Sequence, residues 1–288
     1  MVILGPNQIS KEMETLLLLL SNYSSQFRAI HAPIMFAEMW DMLKIPTAPS
    51  ECAIESLSFC LPLGEFQLSQ LAHTLHRSNL SRLRHFTLPG FIQMPGGYAI
   101  QPLPNRMIIG ALMASPQVSS AAWWAHLTSL ELTMRTLDET LTFFPCLTAL
   151  HVHFVQGRQE YLIPQPRPGM RMVLKKLTSL RLTVFELWDL YHTLVTSLLS
   201  HISCPAGLTL LELNYRGDYP WPRRSLHEEF AQVFKELIDE LVRLSEVSGG
   251  WIATTLTHLI ISRVPIPGEV LLKLLDRTPS VTYLSRKN

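Results

Sequence analysis

The sequence has few charged residues and few cysteines, and each shortage excludes a class of protein. Charged residues make up 16% and hydrophobic residues 47%, which is too apolar for an intrinsically disordered chain. The 24 basic and 23 acidic residues nearly cancel, so no overall field draws the protein to nucleic acid or anionic lipid. The four cysteines have no paired spacing, which favours reduced thiols in a core over disulfides or a zinc site. These features predict a folded chain that recognises its partner locally.

Long apolar runs and targeting signals are missing as well. The leucine run at 16–20 is far shorter than the ~20 apolar residues that cross a bilayer. The start of the chain reaches Pro6 before the apolar segment of a secretory signal could be complete. We therefore expect a cytoplasmic or nuclear protein with no membrane partner.

Recognised catalytic and cofactor motifs are also missing. The sequence contains no Gly-x-Ser-x-Gly elbow, His-Glu-x-x-His motif, phosphate loop or dinucleotide fingerprint. His151 and His153 share one face of a strand, but no carboxylate or cysteine of metal-ligand spacing accompanies them. No enzyme, metal or cofactor is predicted. Two alternatives are an enzyme whose site is assembled across insertions, with Glu131, His151 and His153 as its first candidates, and a non-functional gene fragment.

The dominant pattern that is present is Leu-x-x-Leu-x-Leu, which recurs seven times. The intervals between successive first positions are 29, 44, 20, 30, 31, 48 and 25 residues, the last leading to a broken eighth copy at Val281 and Leu284. Most of these intervals are near the period of a leucine-rich repeat. The copies are Ile54/Leu57/Phe59, Leu83/Phe86/Leu88, Leu127/Leu130/Leu132, Leu147/Leu150/Val152, Leu177/Leu180/Leu182, Leu208/Leu211/Leu213 and Leu256/Leu259/Ile261.

The alternating apolar residues of each copy predict a short strand, and helical spacing between copies predicts the crossovers that parallel strands require. The clearest helix is predicted at 225–247, where a capping box at Ser225 and Glu228 precedes an amphipathic run. Further helices are expected at 10–27, 36–43, 65–77, 186–202 and 269–276. The sequence thus predicts an α/β solenoid at 51–288, with parallel strands on a concave face and helices on the convex face. Residues 1–50 are expected to form an N-terminal helical or partial-repeat segment.

The phrases Leu127-Thr-Ser-Leu130-Glu-Leu132 and Leu177-Thr-Ser-Leu180-Arg-Leu182, with Leu256-Thr-His-Leu259, resemble the leucine-rich repeat region of divergent fungal F-box proteins. The likeness covers about residues 50 to 288 on the repeat criterion. It implies a curved solenoid that captures a protein and presents it to a Skp-cullin ubiquitin ligase. In that family a helical F-box at the amino end binds the Skp adaptor, whereas residues 1–50 offer only a leucine run.

The turns of this chain depart from those of a regular repeat. Eight residues after the first leucine, a regular repeat carries Asn or Cys, whose side chain satisfies backbone groups. In this sequence that position is occupied by residues such as Pro62, Arg135 and Phe185. Because buried backbone groups need partners, we expect the turns to be paired in another way.

The residues between the core positions of each copy are predicted to lie on the concave face, where a protein partner would bind. Neighbouring strands should place opposite charges side by side, either as solvated ion pairs or as a recognition surface. The candidate residues are Glu131, His151, His153, Arg181 and Glu212.

A second candidate surface is the insertion at 215–224, which combines three aromatic residues with three arginines. Tyr, Trp and Arg are frequent interface anchors, and the arginines could hold an acidic or phosphorylated segment. The alternative is that the aromatic rings fold back onto the solenoid edge. With a neighbouring arginine of the preceding insertion, the candidate residues are Arg167, Tyr215, Arg216, Tyr219, Trp221, Arg223 and Arg224.

Overall fold

The leucine copies fold as short parallel strands in the computed structural model. It describes residues 11–32, 37–46, 48, 51–59, 75, 80–88, 123–134, 141, 144–155, 172–185, 199, 202–216, 239, 243, 254–263 and 268–287. The chain divides into two compact units, residues 1–133 and residues 134–288.

The first unit contains two helices and a parallel sheet. Helices α1 and α2 span Lys11–Ser21 and Ala37–Leu43. The strands β1, β2, β3 and β4 span Ala29–Ala32, Ser56–Phe59, His85–Leu88 and Ser129–Met134, and they pair in chain order. Strand β1 lies within residues 1–50 and pairs in parallel with β2, with Ile30 beside Leu57.

The second unit contains five parallel strands that pair side by side, a two-stranded parallel sheet and helix α3, which spans Gly268–Arg277. The five strands are Ala149–Val155 (β5), Ser179–Phe185 (β7), Leu210–Arg216 (β9), His258–Ser262 (β10) and Tyr283–Lys287 (β11), and the two short strands are Met172–Val173 (β6) and Ile202–Ser203 (β8). The five strands pair in the order β5, β7, β9, β10, β11, and β6 pairs with β8. The α/β class and the parallel pairing of the strands agree with the prediction from the sequence.

The described helices agree in position with the predicted ones, except at the end of α1. The helix predicted at 10–27 ends at Ser21, because the chain tightens into a turn in which the Asn22 amide donates to the Leu19 carbonyl. The Ser24 hydroxyl then donates to the Lys44 carbonyl over 3.1 Å. The helices predicted at 65–77, 186–202 and 225–247 lie largely outside the described residues, although Leu75, Leu199, Asp239 and Arg243 are helical.

The leucine copies form the core of each sheet because every second strand residue points to the same side. In the second unit Leu150, Leu180, Leu211 and Leu259 occupy one register row, and each is at most 1% exposed. Continuous rows of this kind explain how copies separated by unequal numbers of residues form one regular core. Each strand needs only to present its copy in register, whatever the length of the segment before it.

A ladder of threonines pairs the backbone groups where strands of the second unit begin. The amides of Thr178 and Ser179 donate to the Thr148 carbonyl over 2.9 and 3.0 Å, and the Thr178 hydroxyl donates to the same oxygen over 3.3 Å. Thr209, Thr257 and Thr282 repeat the arrangement, each on the preceding threonine. These bonds pair main-chain groups at the start of each strand, one residue after the first core position of its copy.

The first unit pairs the same backbone positions with charged residues. The amides of Arg84 and His85 donate to the Glu55 carbonyl, and those of Glu55 and Ser56 donate to the Arg28 carbonyl. The side chains of Arg28 and Glu55 form an exposed ion pair at 3.6 Å. At the start of β4 a threonine is again present, because the Thr128 amide and hydroxyl both donate to the Arg84 carbonyl, over 2.9 and 3.2 Å.

The cysteines in the described residues are free thiols, and two of the three are buried. Burial raises the pKa of the Cys204 thiol from 9.0 to about 12. Burial also raises the pKa of Cys52, against the opposing effects of a backbone hydrogen bond at Ile54 and of the Arg82 charge. Since the folded state keeps the Cys204 proton between these pH values while the unfolded state loses it, this thiol lowers stability as pH rises from 9 towards 12.

Alkylation should therefore separate the cysteines. The thiolate is the reactive form, so iodoacetamide at pH 8.5 is expected to modify the half-exposed Cys146 in the native protein and to spare Cys52 and Cys204. Peptide mapping by mass spectrometry checks the result, and the same reaction in denaturant serves as the control for full reactivity. Rapid native labelling of Cys204 would contradict its burial.

Candidate binding surface

The strand residues that alternate with the buried leucines form a second face, termed the outward face. In the second unit the register places His151 beside Arg181 and Arg181 beside Glu212. The next row joins His153, Thr183 and Asn214. Both rows have the membership that the repeat spacing predicts, so three neighbouring parallel strands bring polar side chains from distant parts of the sequence together.

Arg181 and Glu212 form the ion pair that the outward face of the second unit was expected to contain. Arg181 Nε lies 3.4 Å from Glu212 Oε2, and the two side chains are 50% and 22% exposed. An exposed pair of this kind stabilises the fold by no more than about 1 kcal/mol. It places a carboxylate beside the half-exposed guanidinium on the outward face.

Two histidines lie side by side on β5. The ring centroids of His151 and His153 are 4.0 Å apart, with the planes inclined at 43°. His151 Nε2 lies 3.0 Å from the hydroxyl oxygen of Thr183 on β7, and Thr183 is only 2% exposed. A buried hydroxyl thus fixes the orientation of one imidazole, and both rings remain half-exposed.

A group of aromatic and aliphatic side chains lies on β10 and β11. His258 on β10 and Tyr283 on β11 have ring centroids 5.4 Å apart, and the Thr257 hydroxyl oxygen lies 2.9 Å from His258 Nδ1. Tyr283 is 48% exposed, and the neighbouring Leu210 and Ile260 are half-exposed. This group of aromatic and aliphatic side chains lay outside the predicted site. The sequence contained a signal for this pairing. Tyr283 directly precedes Leu284 in the broken eighth copy, just as His258 directly precedes Leu259 in the seventh, so the two rings are expected in the same register row.

The first unit carries a mainly small and polar outward face. Glu131 on β4 is half-exposed and lies in register with Thr87 on β3, and Thr87 lies in register with Ser58 on β2. His85 is exposed beside Ser56 and Ser129. Glu131 is therefore on the predicted face of its own unit.

The structure describes only part of the second predicted surface, the insertion at 215–224. Tyr215 lies in β9 with 6% of its surface exposed, so its ring packs on the core side. Arg216 ends β9 in register with Phe185. The remaining predicted residues, Arg167, Tyr219, Trp221, Arg223 and Arg224, lie outside the described residues.

Comparisons with known proteins add no family to this geometry. The sequence matches no model of a protein family, and no curated protein matches it. Among the described residues, none of the helices has the length and apolar character needed to span a membrane.

Proposed function

We propose that this chain is a non-catalytic leucine-rich repeat solenoid that binds another protein. Its functional analogue would be an F-box-like substrate receptor of a Skp-cullin ubiquitin ligase, or a truncated relative of one. The proposal is supported by the outward face of the second unit, where half-exposed polar and aromatic side chains stand on a hydrogen-bonded parallel sheet. Exposed groups on a rigid scaffold are a common way of binding proteins.

The charge of the described strands favours an acidic partner segment. Glu212 is the single acidic residue among the described strands of the second unit, whereas Arg181, Arg216, Arg286 and Lys287 are basic. Arg181 can pair with a carboxylate or phosphate of the partner, because its side chain is 50% exposed. The aromatic group at His258 and Tyr283 provides a contact for apolar side chains of the same partner.

Affinity capture of the full chain from its native cell extract tests the proposed function. The wild-type chain is expected to retain one enriched protein, and Arg181→Glu is expected to lower its recovery by about tenfold or more, as at an interface hot spot. Arg28→Glu is a matched control, because it reverses another exposed arginine that is paired with a glutamate, at a position before the start of β1. Trp221→Ala tests the contribution of the predicted insertion surface in the same assay.

The proteins recovered with the partner decide between the two forms of the proposal. Skp and cullin subunits in the captured complex would support a ligase receptor, and a partner without them would support a plain binding scaffold. Equal recovery by Arg181→Glu and the wild type would exclude the outward face as the binding surface. Recovery of no protein at all would contradict protein binding in that cell.

A further inference from the structure

We propose that His151 and His153 form a two-histidine chelate for a divalent transition-metal ion such as Zn²⁺. The proposal is independent of the protein-binding function. It rests on the placement of the two imidazoles within the second unit, which the sequence spacing alone did not establish. The spacing shows only that the residues share a strand face, whereas the structure brings the ring centroids to 4.0 Å.

The distance between the rings suits chelation. One candidate ligand nitrogen of each histidine lies within 4.8 Å of the other. A Zn²⁺ ion binds imidazole nitrogen at about 2.0 to 2.1 Å, so a small rotation of the two rings brings both nitrogens onto one ion. Nickel and copper prefer the same ligand type and bind it more strongly than cobalt or iron. The two imidazoles fill two of the coordination positions of the ion.

The backbone beneath the pair is rigid. Strand β5 pairs with β7 over seven consecutive residues, and the core residues Leu150 and Val152, which flank His151, are at most 1% exposed. The two imidazoles therefore extend from a fixed strand, and chelation requires ordering of the side chains alone. Preorganisation of this kind lowers the cost of binding.

Thr183 provides the supporting hydrogen bond that metal-binding histidines commonly make. Its hydroxyl oxygen lies 3.0 Å from His151 Nε2. In the tautomer in which Nε2–H donates to this oxygen, the lone pair is on Nδ1, which then becomes the ligand atom. Hydrogen bonds to the other ring nitrogen orient ligating histidines and raise their basicity.

Arg181 is the neighbouring cation that opposes metal binding, since it is in register with His151. Its charge is partly offset by Glu212, 3.4 Å from the guanidinium, and its side chain is 50% exposed to solvent. Screening by water and by the paired carboxylate reduces the repulsion.

Titration of the full-length chain with ZnCl₂, followed by calorimetry, tests the chelate. The wild type is expected to show a site that is lost in both His151→Gln and His153→Gln, because one imidazole gives no chelate. His258→Gln is the matched control: this histidine lies on the outward face of the same sheet and should be replaceable without effect on that site. Circular dichroism of each variant confirms that the fold is retained.

Thr183 gives a second, graded test. Thr183→Val removes the hydroxyl and is expected to weaken Zn²⁺ binding by about tenfold, as loss of a hydrogen bond to a ligating histidine commonly does, while Thr183→Ser keeps the hydroxyl and should restore the affinity. Chemical shifts of the His151 and His153 ring protons should change on addition of Zn²⁺ in the wild type. Identical titrations of the wild type, His151→Gln and His153→Gln would overturn the proposal, as would ring proton shifts that do not move.

Discussion

Replacing Leu211 by alanine is expected to lower the free energy of unfolding by about 3 to 5 kcal/mol. Leu211 is fully buried in β9, between Leu180 on β7 and Leu259 on β10, which are themselves 0% exposed. Truncation removes buried apolar surface and leaves a cavity that the two flanking leucines cannot fill without distorting their own strands. Chemical denaturation followed by circular dichroism measures the change.

Leu210→Ala is the matched control for this prediction. Leu210 precedes Leu211 on the same strand but belongs to the outward face and is half-exposed. Its truncation is expected to cost less than about 1 kcal/mol, since little burial is lost. Similar losses for the two variants would show that β9 does not separate a core face from an outward face.

The two-sided character of the strands was predictable because it depends on one physical rule. Side chains alternate along a strand, so a copy such as Leu180-Arg181-Leu182 determines both the core row and the outward row. Once neighbouring copies are aligned, the register follows, and with it the pairing of Arg181 with Glu212. Unequal intervals between copies do not affect this deduction.

Contacts that depend on side-chain conformation could not be predicted in the same way. The repeated Leu-Thr pairs at 147–148, 177–178, 208–209 and 256–257 were visible, but a threonine hydroxyl can bond to several backbone groups, and only the structure identifies the preceding carbonyl. The alternation on β9 could have placed Tyr215 on the core side, yet the nearby arginines and prolines favoured its assignment to an insertion. The separation of the His151 and His153 rings depends on rotamers, which a sequence pattern does not determine.

The turn before β9 differs from its equivalents by one residue, and the difference is accommodated by glycine. In the turns before β5 and β7, the amides of Leu147 and Leu177 donate directly to the carbonyls of Phe144 and Leu174. Before β9 the corresponding donor is Gly207, which bonds to the Cys204 carbonyl, and the core residue Leu208 comes one position later. Gly207 has a φ of +82°, a backbone conformation that residues with a Cβ rarely adopt.

Gly207→Ala is therefore expected to destabilise the protein by about 2 to 5 kcal/mol. The left-handed backbone costs about 1 to 2 kcal/mol for a residue with a Cβ. A methyl group at this position would also lie 2.5 Å from Thr255 Cγ2 and 2.8 Å from Thr255 Cβ, which forces the side chain or the backbone to shift. Overpacking of this kind commonly costs about 1 to 3 kcal/mol. Movement of Thr255 would also strain its hydrogen bond to the Leu208 carbonyl, at 3.0 Å.

Gly268→Ala distinguishes these causes from a general effect of replacing glycine. Gly268 begins α3, and a Cβ built there meets nothing within 4 Å. Alanine should be neutral or slightly stabilising at this position, because it restricts the unfolded chain without introducing a clash.

Thermal unfolding of both variants provides the comparison. A double variant, Gly207→Ala with Thr255→Ser, separates the cost of the left-handed backbone from the cost of the close contact with Thr255. Removal of the Thr255 methyl group should recover part of the steric loss, whereas the backbone penalty at position 207 should persist. If Gly207→Ala unfolded at the wild-type temperature, neither the left-handed backbone nor the close approach of Thr255 could be correct.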